Sequence, residues 1–205
     1  MKTLHEHAET TGVLLCGPHD ALLIVDVQRD FLPGGALAVP EGDAVIPALN
    51  HYIARAALTG ARVFATRDWH PPNHCSFQEQ GGPWPRHCVA GTPGAQIAQG
   101  LHLPPDASIV DKATNPQSDA YSAFSGTALA EGLRECGVRR LAVGGLATDY
   151  CVLATVLDGL REGFEVCVLE DATRAVGVNP GEGAKALDAM RAAGARLVRH
   201  QELLH

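Results

Sequence analysis

The chain has 205 residues, 46% of them apolar, and a formal net charge of −7. That length suits one α/β domain with a sizeable core, and an acidic balance without a basic run argues against nucleic acid or an anionic membrane as partner. No apolar stretch is long enough to span a bilayer, and the polar segment from Met1 to Thr11 lacks the apolar core of a signal peptide, so a cytoplasmic protein is expected.

Residues Met1 to His19 read as a disordered N-terminal extension, with His5 and His7 in solvent, and one domain is expected from 20 to 205. The first strand is Ala21 to Val27. A helix from Asp43 to Leu58 follows and stops at Gly60. The second strand is Arg62 to Thr66, and a Pro/Gly-rich loop runs from Asp68 to Pro93. The third strand is Ser108 to Asp111, then a helix from Ala128 to Cys136 ends at Gly137. The fourth strand, Arg140 to Val143, leads through Gly144-Gly145 into a helix from Asp149 to Glu162. The fifth strand is Glu165 to Leu169, the last helix is Gly183 to Ala193, and the sixth strand is Arg196 to Arg199. This alternation predicts a six-stranded parallel sheet flanked by helices on both faces, a Rossmann-like three-layer α/β/α fold. A dinucleotide is not expected: the turn after the first strand reads Asp26-Val27-Gln28-Arg29-Asp30-Phe31, not GxGxxG, and puts a carboxylate where a phosphate would sit.

Ligands of such sheets bind beyond the carboxyl ends of the strands, and four of those ends carry reactive side chains. They are Asp26, Asp68-Trp69-His70, Asp111-Lys112, and the run Gly144 to Cys151. Of the six cysteines, with no CxxC pair, Cys151 alone sits at an expected helix start. Outward N–H groups and the helix dipole there would lower its pKa and could hold an oxyanion, although a small core cysteine fits that position equally well. A nearby carboxylate could take the thiol proton and return it to a leaving amine, and a lysine could keep that carboxylate ionised. Asp68 and His70 share a face if extended. With His87 they would make a two-histidine, one-carboxylate metal set, against the alternative of surface loop histidines.

In this order the motifs Val25 to Phe31, Thr66 to Pro71, Asn73 to Phe77, Trp84 to Thr92 and Gly145 to Val152 resemble those of the nicotinamidases in the isochorismatase-like cysteine hydrolase family. The resemblance covers Asp20 to Val198. It implies a triad of Asp26, Lys112 and Cys151, and an oxyanion hole from the amides of Ala147 and Cys151. It implies a ring pocket from Phe31, Trp84, Tyr121 and Leu146, and a cis peptide at Leu146–Ala147. Asp68, His70 and His87 would hold one divalent metal, zinc first and iron or manganese as alternatives, with His74, Ser76 and Glu79 as further candidates for its shell. The implied reaction is hydrolysis of nicotinamide, with pyrazinamide as a second substrate; a homo-oligomer is compatible with the sequence, which does not fix the assembly. Isochorismatases do not use the cysteine, and amidohydrolases of carbamoylated amines do not need the metal loop. Another cysteine amidohydrolase of the family, an iron oxygenase with the same ligand set, and a metal-binding protein without hydrolase activity are the competing readings.

Overall fold

The computed structural model describes residues 15–199, so the disorder expected before residue 15 and the placement of His5 and His7 lie outside the described residues. Strands β1 (Asp20–Val25), β2 (Arg62–Asp68), β3 (Ser108–Lys112), β4 (Arg140–Leu146), β5 (Glu165–Arg174) and β6 (Arg196–Val198) form one sheet in the order β3-β2-β1-β4-β5-β6. Every neighbouring pair is parallel, as the sequence pattern predicts. The helices are α1 (Val45–Thr59), α2 (Leu129–Glu135), α3 (Leu153–Arg161) and α4 (Glu182–Ala192). None of them is long and apolar enough to cross a membrane.

Alternation along the strands divides the core in two. Leu22 and Ile24 point to one face with Leu49, Tyr52 and Ile53 of α1. Ala21, Leu23 and Val25 point to the other, against Leu133 of α2, Val156 of α3 and Met190 of α4. One helix cannot cover a six-stranded sheet, so Val39, Ala95, Ala98 and Leu101 from the long connections complete the α1 face. Leu15, within the expected extension, is also fully buried in that cluster.

Strands β2, β4 and β5 outrun their sequence-based ends, whereas β1 stops at Val25, two residues short of the expected Val27, because the chain turns out of the sheet at Asp26. β2 continues to Asp68, β4 to Leu146 and β5 to Arg174, where Asp68 pairs with Lys112 and Leu146 with Arg174. Several residues in these extensions are polar, among them Asp68, Thr173 and Arg174, so hydropathy does not mark them. The helix expected from Asp149 differs as well: Thr148–Val152 is a π-turn, and α-helix begins only at Leu153.

The strand order reverses direction between β1 and β4. Chain leaving these two neighbours diverges and opens a crevice above their carboxyl ends. Gly145 is the narrow point. It pairs with Val25 across the two strands at φ 122°, and a Cβ there would sit 2.1 Å from Val25 O. We expect Gly145→Ala to cost about 3 kcal/mol or more through clash and left-handed strain. Urea unfolding checks this, and an unchanged midpoint would contradict the close packing.

Candidate active site

Asp26 is the first residue beyond β1. Its φ of 48° turns the chain out of the sheet and leaves its side chain fully buried in the crevice. Thr66 on β2 fixes it twice: the hydroxyl donates to Asp26 Oδ1 at 2.6 Å and accepts the Asp26 amide at 3.2 Å. Lys112, the last residue of β3, reaches under β2 and is 1% exposed. Its Nζ lies 2.5 Å from Asp68 Oδ1, 3.0 Å from Asp26 Oδ2, 3.0 Å from Ala120 O and 3.5 Å from Cys151 Sγ. One oxygen each of Asp26 and Asp68 and the Cys151 sulfur lie within 4.8 Å of one another. The cation they surround is the lysine itself.

Burial dominates the electrostatics here. It pushes the Asp26 carboxyl up, helped by the charge of Asp68 and opposed by Lys112. It also works to raise Asp68, but there Lys112 and His70 outweigh it and hold the carboxyl below the ordinary range. Burial would lower Lys112, yet Asp26 and Asp68 keep the ammonium well above its ordinary value. The Cys151 thiol is pushed well up by burial, against the pull of Lys112. This corrects the expectation of a depressed thiol pKa. Cys151 is 6% exposed, and desolvation of a thiolate there costs more than a helix start can return.

Asp68 turns its other oxygen, Oδ2, to His70 Nε2 at 3.6 Å. That nitrogen is buried and has no hydrogen-bond partner among the described residues. The Nδ1 of His70 donates to Ala113 O at 3.3 Å, and the Nδ1 of His87 donates to Pro85 O at 2.7 Å. Both contacts leave Nε2 as the acceptor nitrogen. Ligand atoms of Asp68, His70 and His87 fall within 4.8 Å of one another. A buried acceptor without a donor, beside a carboxylate and a second imidazole, fits a divalent metal ion.

The three further shell candidates lie outside this set. His74 stacks on His70 at 4.1 Å, takes the Ser76 hydroxyl on Nδ1 at 2.7 Å and bonds Ser118 O through Nε2 at 3.3 Å. Ser76 faces the pocket with its hydroxyl turned to His74. Glu79 is exposed, 3.5 Å from Arg86, and is not brought into the site.

Above both groups lies a pocket lined by Phe31, Trp84, Tyr121, Leu146 and Ala147, with Cys151 on its floor. The Trp84 indole donates to Tyr121 Oη at 2.9 Å. The Phe31 ring is 5.7 Å from that of His87. The Leu146–Ala147 peptide is cis. In the π-turn, the amides of Tyr150 and Val152 both donate to Ala147 O, at 3.1 and 3.0 Å.

Sequence reasoning missed two residues here. Thr66 reads as an ordinary strand threonine. Tyr150 joins the aromatic wall, edge-on to Trp84 at 5.1 Å, although its place beside Cys151 in the motif was a usable signal. Cys88 and Cys167 are buried in the core, Cys16 and Cys136 are exposed, and no disulfide is present among the described residues.

The isochorismatase domain model matches residues 20–202. Nicotinamidase of Escherichia coli strain K12 is 43% identical, over 88% of this chain and 94% of that protein. The pyrazinamidase of Pyrococcus horikoshii, solved in complex with zinc, is 53% identical with a TM-score of 0.85, over 89% of this chain and 99% of that one. A protein from L. infantum solved in complex with nicotinate is 38% identical with a TM-score of 0.84, over 93% and 96% of the two chains.

The lysine cluster yields a stability prediction. Asp68 is held below its ordinary value of 3.8, so its pairing stabilises the fold above that pH and the gain fades as pH falls. Lys112→Met would leave two buried carboxylates without their cation, at a cost of about 3–5 kcal/mol at neutral pH. Their pKa values would then rise, so protonation should relieve the cost as pH falls. Denaturant unfolding at pH 7 and pH 5 should show the wild-type advantage shrinking; a constant difference would contradict this account.

Proposed function

The chain belongs to the isochorismatase family, and on that premise we propose that it is a nicotinamidase, hydrolysing nicotinamide to nicotinate and ammonia with pyrazinamide as a second substrate. The observation that carries this reading is that a Cys–Asp–Lys cluster and a two-histidine, one-carboxylate cluster share Asp68 at the floor of one aromatic pocket. A small aromatic amide matches those surroundings, and the zinc and nicotinate complexes of similar proteins support the assignment.

In the mechanism we assign, the rings of Phe31, Trp84 and Tyr121, with the Leu146 side chain, sandwich the substrate ring and exclude water. Asp26 takes the Cys151 proton; because burial raises both groups, the carboxylate is a better base for this weak acid than a solvated one would be. Cys151 Sγ attacks the amide carbon, and the amides of Ala147 and Cys151 donate to the oxyanion. Asp26 passes the proton to the departing nitrogen, releasing ammonia and leaving a thioester. It then deprotonates a water that attacks the thioester, and the thiol is restored as nicotinate leaves. Lys112 balances the charge of Asp26 throughout. Asp68, His70 and His87 would hold a divalent cation, for which we propose zinc, and it would supply Lewis acidity toward the ring nitrogen of the substrate.

Cys151→Ala should lower ammonia release by on the order of a thousandfold or more, while Cys136→Ala and Cys167→Ala retain it. Mass spectrometry of acid-quenched protein should find a nicotinoyl adduct on Cys151 alone. Substantial turnover by Cys151→Ala would refute the thioester route.

The ring nitrogen gives a separate test. Benzamide keeps ring and amide but lacks that nitrogen. Its kcat/KM should fall below that of nicotinamide by on the order of a few kcal/mol in transition-state terms, because a polar partner is left unmatched. Equal specificity constants would leave ring recognition to the aromatic wall.

A further inference from the structure

The ladder between β1 and β2 stops at the pair Ile24 and Ala65, because the chain leaves the sheet at Asp26. β2 nevertheless continues to Asp68. On its β3 side, the amide of Trp69 donates to Lys112 O at 3.0 Å. Strand alternation therefore aims the N–H and C=O of Asp68 the other way, where β1 has already ended. Both groups are satisfied by one side chain. Gln28 Oε1 accepts the Asp68 amide at 2.8 Å, and Gln28 Nε2 donates to Asp68 O at 2.8 Å and to Ala95 O at 2.9 Å. Gln28 is fully buried, and both of its amide hydrogens are used.

We infer that Gln28 is a positioning residue whose side-chain amide replaces the missing residue of β1 and sets the Asp68 carboxylate between Lys112 and the two histidines. The inference rests on the reading of Asp68 as a metal ligand. Only an amide meets these demands. A carboxylate at the same place would set an oxygen against two carbonyl oxygens, and an apolar chain would leave the Asp68 N–H and two carbonyls buried without partners. Asp68 uses one oxygen on Lys112 and turns the other to His70, so a shift of its backbone disturbs both clusters together.

The test compares Gln28→Met and Gln28→Glu with Tyr52→Phe. The last removes a hydroxyl that bonds Asp171 Oδ1 at 2.9 Å from α1, outside the pocket. Zinc affinity is measured by competition with a chromophoric chelator, beside thermal midpoints and the kcat/KM ratio of nicotinamide to benzamide. Both Gln28 variants should bind zinc about 10–100-fold more weakly and show a smaller ratio, while Tyr52→Phe loses thermal stability alone. Should Gln28→Met fail to fold, Gln28→Asn, which keeps the amide one methylene short, should show the same weakening. Zinc affinity within about twofold of wild type in the folded Gln28 variants, or equal weakening in Tyr52→Phe, would overturn the positioning role and leave the ligand assignment standing. Wild-type protein that binds no zinc would overturn both.

Discussion

The Lys112 ammonium sits where water hardly reaches, between the carboxylates of Asp26 and Asp68, the Ala120 carbonyl and the Cys151 sulfur. A buried ammonium alone would cost several kcal/mol, and here its partners come from separate stretches of chain. Asp26 follows β1, Asp68 ends β2, and Cys151 lies in the turn after β4. Holding one cation therefore ties four adjacent strands to a common level at their carboxyl ends. Two carboxylates around one lysine leave a surplus negative charge. The oxygen of Asp68 not used by Lys112 turns it toward His70 and His87, on the side where a divalent cation fits.

The same burial shapes the reactive pair. Desolvation raises the Cys151 thiol and the Asp26 carboxyl together. A thiol at an exposed helix start would be activated by becoming an anion in advance. In the proposed mechanism the proton stays on sulfur until a nearby base of raised strength takes it. Thr66 aims that base with a 2.6 Å hydrogen bond, and Gly145 lets β4 come close enough to β1 to bring the sulfur alongside.

Much of this architecture is legible in the sequence. The strand–helix alternation shows the parallel three-layer fold, and the loaded strand ends locate the crevice. The errors have physical causes. Hydropathy places the ends of β2, β4 and β5 too early because pairing continues past the last apolar residue, as at Asp68 and Arg174; it places that of β1 too late because Val27 is buried beyond the sheet. A π-turn and an α-helix share the same residue preferences, so Thr148–Val152 could not be distinguished from the helix that follows. Glu79, a shell candidate only by the resemblance, stands in solvent at the short turn Gln78–Gln80.

Hydropathy period and motif order, both read from local spacing, show which side chains stand at the strand ends. They also show that a cysteine, a lysine, two histidines and two aspartates gather at one edge of a sheet. How they share their contacts emerges from the packed fold: Lys112 against both carboxylates, Asp68 split between lysine and histidine, Thr66 and Gln28 behind them, and Tyr150 in the aromatic wall. The packed fold also sets the direction in which the thiol titrates. Those properties depend on burial and on partners about 40 residues or more away in sequence, and no local pattern encodes the dielectric that a distant strand creates.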